Sequence, residues 1–309
     1  MARTYSLEQP RDILTGARSK TRTWIHLVLL LLTIITTTIF GFALVQSYPL
    51  GRTLEVEWIV EGYARFAHGN LGIWSGLYFS LPLLLILLSH EFGHYFECQH
   101  WRVDASLPYF IPFPTLFGTL GAFIRLRSPV YNRKALFDIG VSGPLAGFAL
   151  LAPFLAVGIY LSKAGPVPSH GDFVFGTPLL MRVLEAIRFR GVPPERIVLH
   201  PMAMAAWGGL LATAMNLLPL GQLDGGHIVY AIFGDRWHRI ISMCVAVLLA
   251  LLGFLYWPWF FWAGGMFLLG RRHPLTYDRT PLPKGRLALG VVALLVLVLS
   301  FSIVPVRTG

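Results

Sequence analysis

The sequence predicts an all-α polytopic membrane protein with about six to seven transmembrane helices and a re-entrant or short β segment. The chain of 309 residues is 55% hydrophobic and only 13% charged, whereas soluble domains carry about 25% charged residues. Long apolar runs recur, and basic residues lie mostly in short stretches beside them. The net charge of +10 is therefore interpreted as a membrane topology signal, and nucleic-acid binding is not expected.

Seven apolar segments approach the roughly 20 residues that a membrane-crossing helix needs. The fifth and sixth are short and meet at Tyr256–Phe261, where Pro258 and two tryptophans predict a tight interfacial turn. We expect these two segments to form a hairpin that does not fully cross the membrane. The seven segments cover residues 24–46, 73–98, 136–161, 201–221, 239–256, 258–271 and 287–305.

The N-terminal segment predicts the orientation of the chain. Five basic residues precede the first apolar segment, which is longer than a signal-peptide core and has no clear cleavage site. We expect an uncleaved anchor with a cytosolic N-terminus, in a bacterial plasma membrane or, alternatively, in a thylakoid or chloroplast membrane. The predicted organisation is a cytosolic tail at 1–23, the first span and an external loop at 24–72, the membrane core at 73–275, and a cytosolic loop with the last span at 276–309.

The predicted external loop 162–200 departs from the basic bias, because it carries five Lys/Arg residues. Within it, Leu179–Phe189 is an amphipathic stretch that is typical of a helix resting on a membrane surface. A plain linker is the alternative interpretation.

A pattern typical of metal sites follows an almost purely aliphatic run. His90, Glu91 and His94 form H-E-x-x-H. On a helix, residues four apart share one face, so the two imidazoles can bind one Zn²⁺ while Glu91 serves as general base toward water. The pattern alone also fits polar residues that face a bundle interior. Ionisable residues in an apolar helix are costly, however, and indicate function.

Asp224 is the candidate third ligand, because a catalytic zinc site needs three protein ligands and a position for water. It is the only acid between Glu195 and Asp235. The second and fourth predicted spans both run from outside to inside, so their ends should meet at one depth. An N-cap of the following helix is the alternative role for Asp224. The rival ligands are His227, His100 and Cys98.

Asn216 lies near the end of the fourth apolar segment, three residues before Pro219. An amide near a metal can polarise a substrate carbonyl or orient an oxyanion. The alternative is that both residues only mark the end of a helix.

Two motifs together resemble the site-2 protease family of M50-type intramembrane zinc metalloproteases. "HEFGH" and "NLLPLGQLDGG" match at every position the family pattern HExxH plus N-x-x-P-x-x-x-L-D-G. Further stretches, including "FDIGVSGPLAGF", resemble the EGY-like group of plants and cyanobacteria and its prokaryotic relatives. No PDZ-sized insertion separates the motifs, and we expect a branch of the family without a PDZ or CBS domain.

By this resemblance, His90, His94 and Asp224 bind one Zn²⁺ per chain, Glu91 is the base, and Asn216 stabilises the tetrahedral intermediate. The implied activity is zinc-dependent endopeptidase cleavage in or near transmembrane segments. The implied partners are transmembrane protein substrates and the lipid bilayer, and the oligomeric state is not predicted. Rival functions are a catalytically silent scaffold or chaperone, against which the intact Glu91 argues, and a metal transporter, against which the lack of an internal repeat argues.

Residues 105–127 form a candidate platform for such a substrate. "GTLGAFIRLR" alternates enough to predict a short strand after a re-entrant loop, and an exposed strand edge can pair with an unwound substrate. Packing between helices is the alternative. The predicted substrate-binding residues are Gly118, Thr119, Gly121 and Phe123. "SGPLAG", from Ser142 to Gly147, is interpreted as a site of close helix packing.

Overall fold

The structure is a computed structural model that describes residues 22–50, 56–114, 116–166, 173–269 and 280–308. These residues are mostly helical, as predicted. The α-helices are α1 (Thr23–Leu50), α2 (Val56–Ala67), α3 (Leu77–His100), α4 (Arg133–Leu161), α5 (Leu179–Arg188), α6 (Pro201–Leu217), α7 (Asp224–Phe233), α8 (Asp235–Leu252), α9 (Pro258–Leu269) and α10 (Lys284–Ser300).

Three helical segments of the described residues are long and apolar enough to cross a membrane, namely Thr23–Pro49, Leu71–His100 and Arg133–Leu161. The predicted count of six to seven spans is therefore not confirmed. The other predicted spans form shorter helices. Helices α6 and α10 have 17 residues each and α9 has 12, whereas a full crossing needs roughly 20 residues. Helix α8 has 18 residues but begins with three charged side chains within its first five positions.

The fifth and sixth predicted spans form a helical hairpin, α8 and α9, as expected. The two helices are separated by the short segment 253–257, and Pro258 is the first residue of α9. Proline suits this position because the first turn of a helix does not use its missing N–H.

Helices α3, α4 and α6 form the centre of the fold, and α1 packs against α3. Their shared core contains fully buried side chains from each region, including Phe79 on α3, Leu151 on α4 and Trp207 on α6. Helices α3 and α4 approach unusually closely at small residues. A Cβ on Gly93 would lie 2.7 Å from the carbonyl oxygen of Ser142. This contact agrees with the interpretation of the Ser142–Gly147 stretch as a packing surface.

A two-stranded antiparallel sheet lies beside this bundle. Strand β1 (Tyr109–Pro112) pairs with β2 (Thr119–Phe123), with Tyr109 opposite Phe123. The predicted strand is confirmed in type, but it ends at Phe123 and only an isolated bridge between Ala105 and Leu126 continues the pairing. The hairpin is fixed to α1, where the hydroxyl of Thr36 donates to the Gly118 carbonyl at 2.6 Å.

Two further strand pairs, which the sequence did not predict, involve the connection between α4 and α6. Strand β3 (Lys163–Ala164) pairs with β5 (Ile197–Val198), and β4 (Phe173–Phe175) pairs with β6 (Val306–Thr308). These pairs tie the connection between α4 and α6 to itself and to the segment after α10.

Candidate metal centre

Helix α3 brings two imidazoles together. His90 and His94 are one turn apart, and their Nε2 atoms lie 3.1 Å from each other. Both side chains are buried, with 5% and 6% of their surface exposed. His94 lies six residues before the end of α3, which corresponds to about 9 Å along the helix axis. The imidazoles are therefore buried near one end of a candidate membrane span.

Asp224 meets both histidines from the start of α7. Its Oδ2 lies 3.3 Å from His90 Nε2 and 3.2 Å from His94 Nε2. Helix α7 can begin there because Gly225 has no side chain: a Cβ on it would lie 2.0 Å from the Leu217 carbonyl oxygen. Asp224 is the first residue of α7 and not its N-cap, which is Leu223. The alternative N-cap role is therefore wrong.

The spacing of the three donor atoms is close to that of a tetrahedral metal site. Zn–N and Zn–O bonds of about 2.0–2.2 Å at tetrahedral angles separate ligand atoms by about 3.3–3.6 Å. The observed separations of 3.1–3.3 Å are close to this range. Among the described residues, His90, His94 and Asp224 are the one group of three or more His, Cys, Asp or Glu side chains with metal-site geometry. The residues present therefore fit Zn²⁺.

The charge of Asp224 suits a metal ligand. Burial disfavours its ionised form, but the neighbouring His94 and His90 hold the pKa of its carboxyl group well below the ordinary value. The carboxylate is thus ionised at neutral pH, which is the form that binds metal.

The orientation of His94 is set by the backbone of α4. Its Nδ1–H donates to the Ile139 carbonyl oxygen at 2.6 Å, so Nε2 is the ring nitrogen that faces Asp224 and that can bind a metal. Such an outer hydrogen bond is common for metal-binding histidines because it fixes the ring and its tautomer. The role of Ile139 could not be predicted from the sequence, since a backbone carbonyl leaves no signal in the residue type.

Glu91 is buried beside the histidines, with 5% of its surface exposed. Its carboxylate accepts a hydrogen bond from the backbone N–H of Ile124, the residue that directly follows β2. Glu91 therefore connects the metal-binding helix to the β1–β2 hairpin. This contact places the short β segment near the site, as predicted.

Asn216 projects from the last turn of α6 toward the same centre. Its Nδ2 lies 3.3 Å from His90 Nε2. The side chain does more than mark the end of a helix, because its amide is within reach of the metal-binding group.

The rival ligands lie elsewhere. Cys98 is fully buried in an apolar cluster with Val103 and Ile139. The ring of His100 packs edge-on against Trp101. His227 packs against α4, where its Cβ lies 3.1 Å from the position that a Cβ on Gly140 would occupy. None of the three rivals belongs to the metal-binding group among the described residues.

The four predicted substrate-binding residues lie at or next to β2, in different environments. Gly118 packs on α1, since a Cβ there would lie 2.5 Å from Thr37 Cα. The buried Thr119 hydroxyl donates to the Ile111 carbonyl at 2.8 Å. Gly121 adopts a positive φ of 103° in open space, and Phe123 is 46% exposed. Gly121 and Phe123 are thus accessible, while Gly118 and Thr119 hold the hairpin together.

An ion pair that the sequence did not predict connects three helices near His94. Arg286 of α10 makes two hydrogen bonds to Asp138 of α4, at 2.8 and 2.7 Å. The indole N–H of Trp101, just after α3, donates to the same carboxylate at 3.1 Å. Asp138 directly precedes Ile139, so this cluster supports the carbonyl that orients His94.

Comparison with known proteins identifies the family. Residues 78–257 match the sequence model of Peptidase family M50, and this segment contains the three metal-binding residues as well as Glu91 and Asn216. The chain belongs to peptidase family M50. Its M50 relatives include a protein of Arabidopsis thaliana named "Probable zinc metalloprotease EGY1, chloroplastic", which is 34% identical over 238 residues, covering 72% of this chain and 42% of the relative.

Two further relatives come from Oryza sativa subsp. indica. "Probable zinc metalloprotease EGY2, chloroplastic" is 29% identical over 230 residues, with 72% of this chain and 41% of the relative covered. "Probable zinc metalloprotease EGY3, chloroplastic" is 29% identical over 244 residues, with 71% and 41% covered. This M50 chain thus spans less than half the length of the curated relatives that it matches.

Proposed function

We propose that this chain is an intramembrane zinc endopeptidase that hydrolyses peptide bonds in or near transmembrane segments of other membrane proteins. The observation that supports this most is the convergence of His90, His94 and Asp224 beside Glu91. The three relatives are named as probable zinc metalloproteases, which agrees with a donor set of two imidazole nitrogens and one carboxylate oxygen. One Zn²⁺ per chain would be held by these three residues.

Bound Zn²⁺ supplies a Lewis acid that polarises a carbonyl and makes water a nucleophile at neutral pH. The chain's own groups then move the proton. Glu91 follows His90 directly in the helix, so its carboxylate is beside the ligands and accepts a proton from the attacking water. It passes that proton to the leaving amine. The hydrogen bond from Ile124 N–H fixes the carboxylate in this position.

Asn216 stabilises the negative charge that develops on the substrate carbonyl oxygen. Its amide nitrogen, 3.3 Å from His90 Nε2, is a donor that is fixed at the edge of the centre by α6. A preorganised donor of this kind typically contributes about 10²–10³-fold in rate.

The β1–β2 hairpin offers a place for an extended substrate. Hydrolysis requires an exposed carbonyl, and a helical substrate hides its carbonyls in hydrogen bonds. Pairing with the edge of β2 would hold an unwound segment beside Glu91, with the exposed Leu120 and Phe123 side chains contacting it. Gly121 has no side chain to block this edge, and it lies where the register of the β1–β2 pairing shifts.

We further propose six to seven membrane-inserted helices, of which α6, α8, α9 and α10 are shorter than a full span. The N-terminus would be cytosolic, and the metal centre would receive water from the cytosolic side. The chloroplast names of the relatives make a chloroplast membrane the alternative to a bacterial plasma membrane.

The deciding experiment compares the chain with its Glu91→Gln variant in proteoliposomes that contain a labelled single-span substrate. We expect the wild-type chain to release the labelled fragment and the variant to release none while it keeps stoichiometric zinc. Cleavage by the variant at the wild-type rate would refute the mechanism. Absence of cleavage by both proteins, with metal uptake into the vesicles, would favour transport instead.

A further inference from the structure

Helix α5 has one apolar face in the protein core and a second apolar face that is exposed. The exposed face does not contact the metal centre. Leu179, Val183 and Ile187 are spaced four residues apart and therefore form one stripe along the helix. They are 45%, 47% and 65% exposed. An exposed apolar stripe on a short helix indicates a contact outside the chain.

The opposite face of α5 fixes the helix to the protein. Met181, Glu185 and Phe189 are each less than 9% exposed, and Met181 and Phe189 belong to the core shared with α3, α4 and α6. The apolar stripe is therefore held on a rigid support, and it faces outward.

Positive charges border the stripe. Arg182, Arg188 and Arg190 are exposed, and the guanidinium of Arg188 lies 5.5 Å from the ring centroid of Tyr160. The only acid in α5 is Glu185, which is buried on the inner face. The outer face of α5 is thus apolar in its centre, with Arg182 and Arg188 at its edges and Arg190 just beyond its C-terminal end.

The stripe lies at the end of a candidate membrane span. Tyr160 is in the last turn of α4 and is 69% exposed, and Val157, one turn earlier, is 49% exposed. Tyrosine is enriched at the boundary between the hydrocarbon core and the headgroups. The contact between Arg188 and Tyr160 places α5 beside the end of α4, which is where a membrane-spanning α4 would meet the headgroups.

We propose that α5 is an interfacial helix that binds anionic phospholipid headgroups through Arg182, Arg188 and Arg190 while Leu179, Val183 and Ile187 enter the outer acyl region. This inference goes beyond the proposed proteolysis and does not depend on it. It also explains why the connection between α4 and α6 carries five basic residues on the side opposite the metal centre, where the positive-inside pattern predicts few.

The first test measures the depth of α5 in nanodiscs that contain the whole chain. A Cys244→Ser background leaves only the buried Cys98, and Ile187→Cys then carries a fluorescent label. His68→Cys, on an exposed turn after α2, is the matched control. We expect brominated acyl chains to quench the label at 187 at least about two-fold more than the label at 68, and aqueous iodide to show the reverse order. Equal iodide quenching at both positions would overturn the proposal.

The second test measures the preference for anionic lipid. Brominated phosphatidylglycerol is compared with brominated phosphatidylcholine at the same total content, and we expect about two-fold stronger quenching of the 187 label by the anionic lipid. Replacing Arg182, Arg188 and Arg190 by Gln should remove this preference.

A matched control removes three charges at the other end of α4, through Arg125→Gln, Arg127→Gln and Lys134→Gln, and should keep the lipid preference at position 187. A preference that survives the first triple replacement, or that is lost equally in both, would contradict headgroup binding by α5. Monodisperse elution of every variant shows that its fold is retained.

Discussion

Two glutamates on two helices are almost equally buried and yet differ in their surroundings. Glu91 of α3 and Glu185 of α5 are 5% and 3% exposed. Glu91 has two imidazoles and Asp224 around it and accepts a hydrogen bond from Ile124 N–H. The Oε2 atom of Glu185 has no hydrogen-bond partner among the described residues. Burial of an acid is therefore not a sign of chemistry by itself, because the neighbouring groups decide what the acid can do.

The consequence for Glu185 is a change in its protonation. Burial raises the pKa of its carboxyl group to about 7, and the nearby Arg182 offsets only part of this shift. Glu185 is thus about half protonated at pH 7 and mostly protonated below it, and we interpret it as a core residue of α5.

The largest expected difference between the two glutamates is in activity. Glu91→Gln should lower the cleavage rate by about 10²–10⁴-fold, because the general base is lost, while Glu185→Gln should stay within about two-fold of the wild-type rate. Cleavage of a labelled single-span substrate by both variants in parallel measures this. Equal losses would show that the two acids have related roles.

The second prediction concerns the group that surrounds Glu91. Asp224→Asn should weaken zinc binding by more than about 100-fold, since even loss of an outer hydrogen-bond partner typically costs about 10–100-fold. His227→Asn, three residues along α7, is the matched control and should keep the metal. Competition with a chromogenic chelator reports both affinities. Zinc affinity that falls only in the His227 variant would assign the third ligand to that residue.

The third prediction tests the packing beneath His94. Gly143→Ala would place a Cβ 2.1 Å from His94 Nε2, so the imidazole must move away and its bond to Ile139 is lost. We expect zinc affinity to fall by about ten-fold or more. Gly264→Ala, in α9, meets nothing within 4 Å and should leave zinc content unchanged. Normal zinc binding by the Gly143 variant would contradict the rigid placement of His94.

The smallest expected effect is on stability. The folded-state pKa of Glu185, about 7, exceeds the ordinary value of 4.5 for this side chain, so the folded state holds this proton to higher pH. Stability should fall as pH rises from about 4.5 to 7 and stay reduced above that. Glu185→Gln mimics the protonated form and should gain about 1–3 kcal/mol at pH 8 and less near pH 5. Thermal unfolding in detergent at both pH values measures the gain, with the exposed Glu61→Gln as control. A gain of equal size at both values would contradict the raised pKa.

The side chains of the site could be predicted from the sequence, whereas the backbone groups that position them could not. His90 and His94 followed from helical spacing, which depends on neighbouring residues alone. Asp224 followed from the alternating direction of the predicted spans, although it is far away in the sequence. The Ile139 carbonyl and the Ile124 N–H left no signal, because a backbone group is the same in every residue.

The fold shows the same limit. Most predicted apolar segments are helices, because hydropathy is a local property. The number of helices that cross the whole membrane was not predictable in the same way, because an apolar run can be longer than the helix that forms within it. The pairing of β4 with β6 joins residues 173–175 to 306–308, and neither short segment carries a distinctive alternation. The burial of Glu185 depends on which face of α5 meets the core, and both faces are apolar.

The contact between His94 and Gly143 has a consequence for the rate at which the metal exchanges. The imidazole lies directly on the backbone of α4, and its Nδ1 is bound to the Ile139 carbonyl, so the ring cannot turn away while α3 and α4 stay packed. The donor atoms are held in place before an ion arrives, which favours tight binding. Release of the ion then gains nothing from rotation of the His94 ring, so we expect metal exchange to be slow.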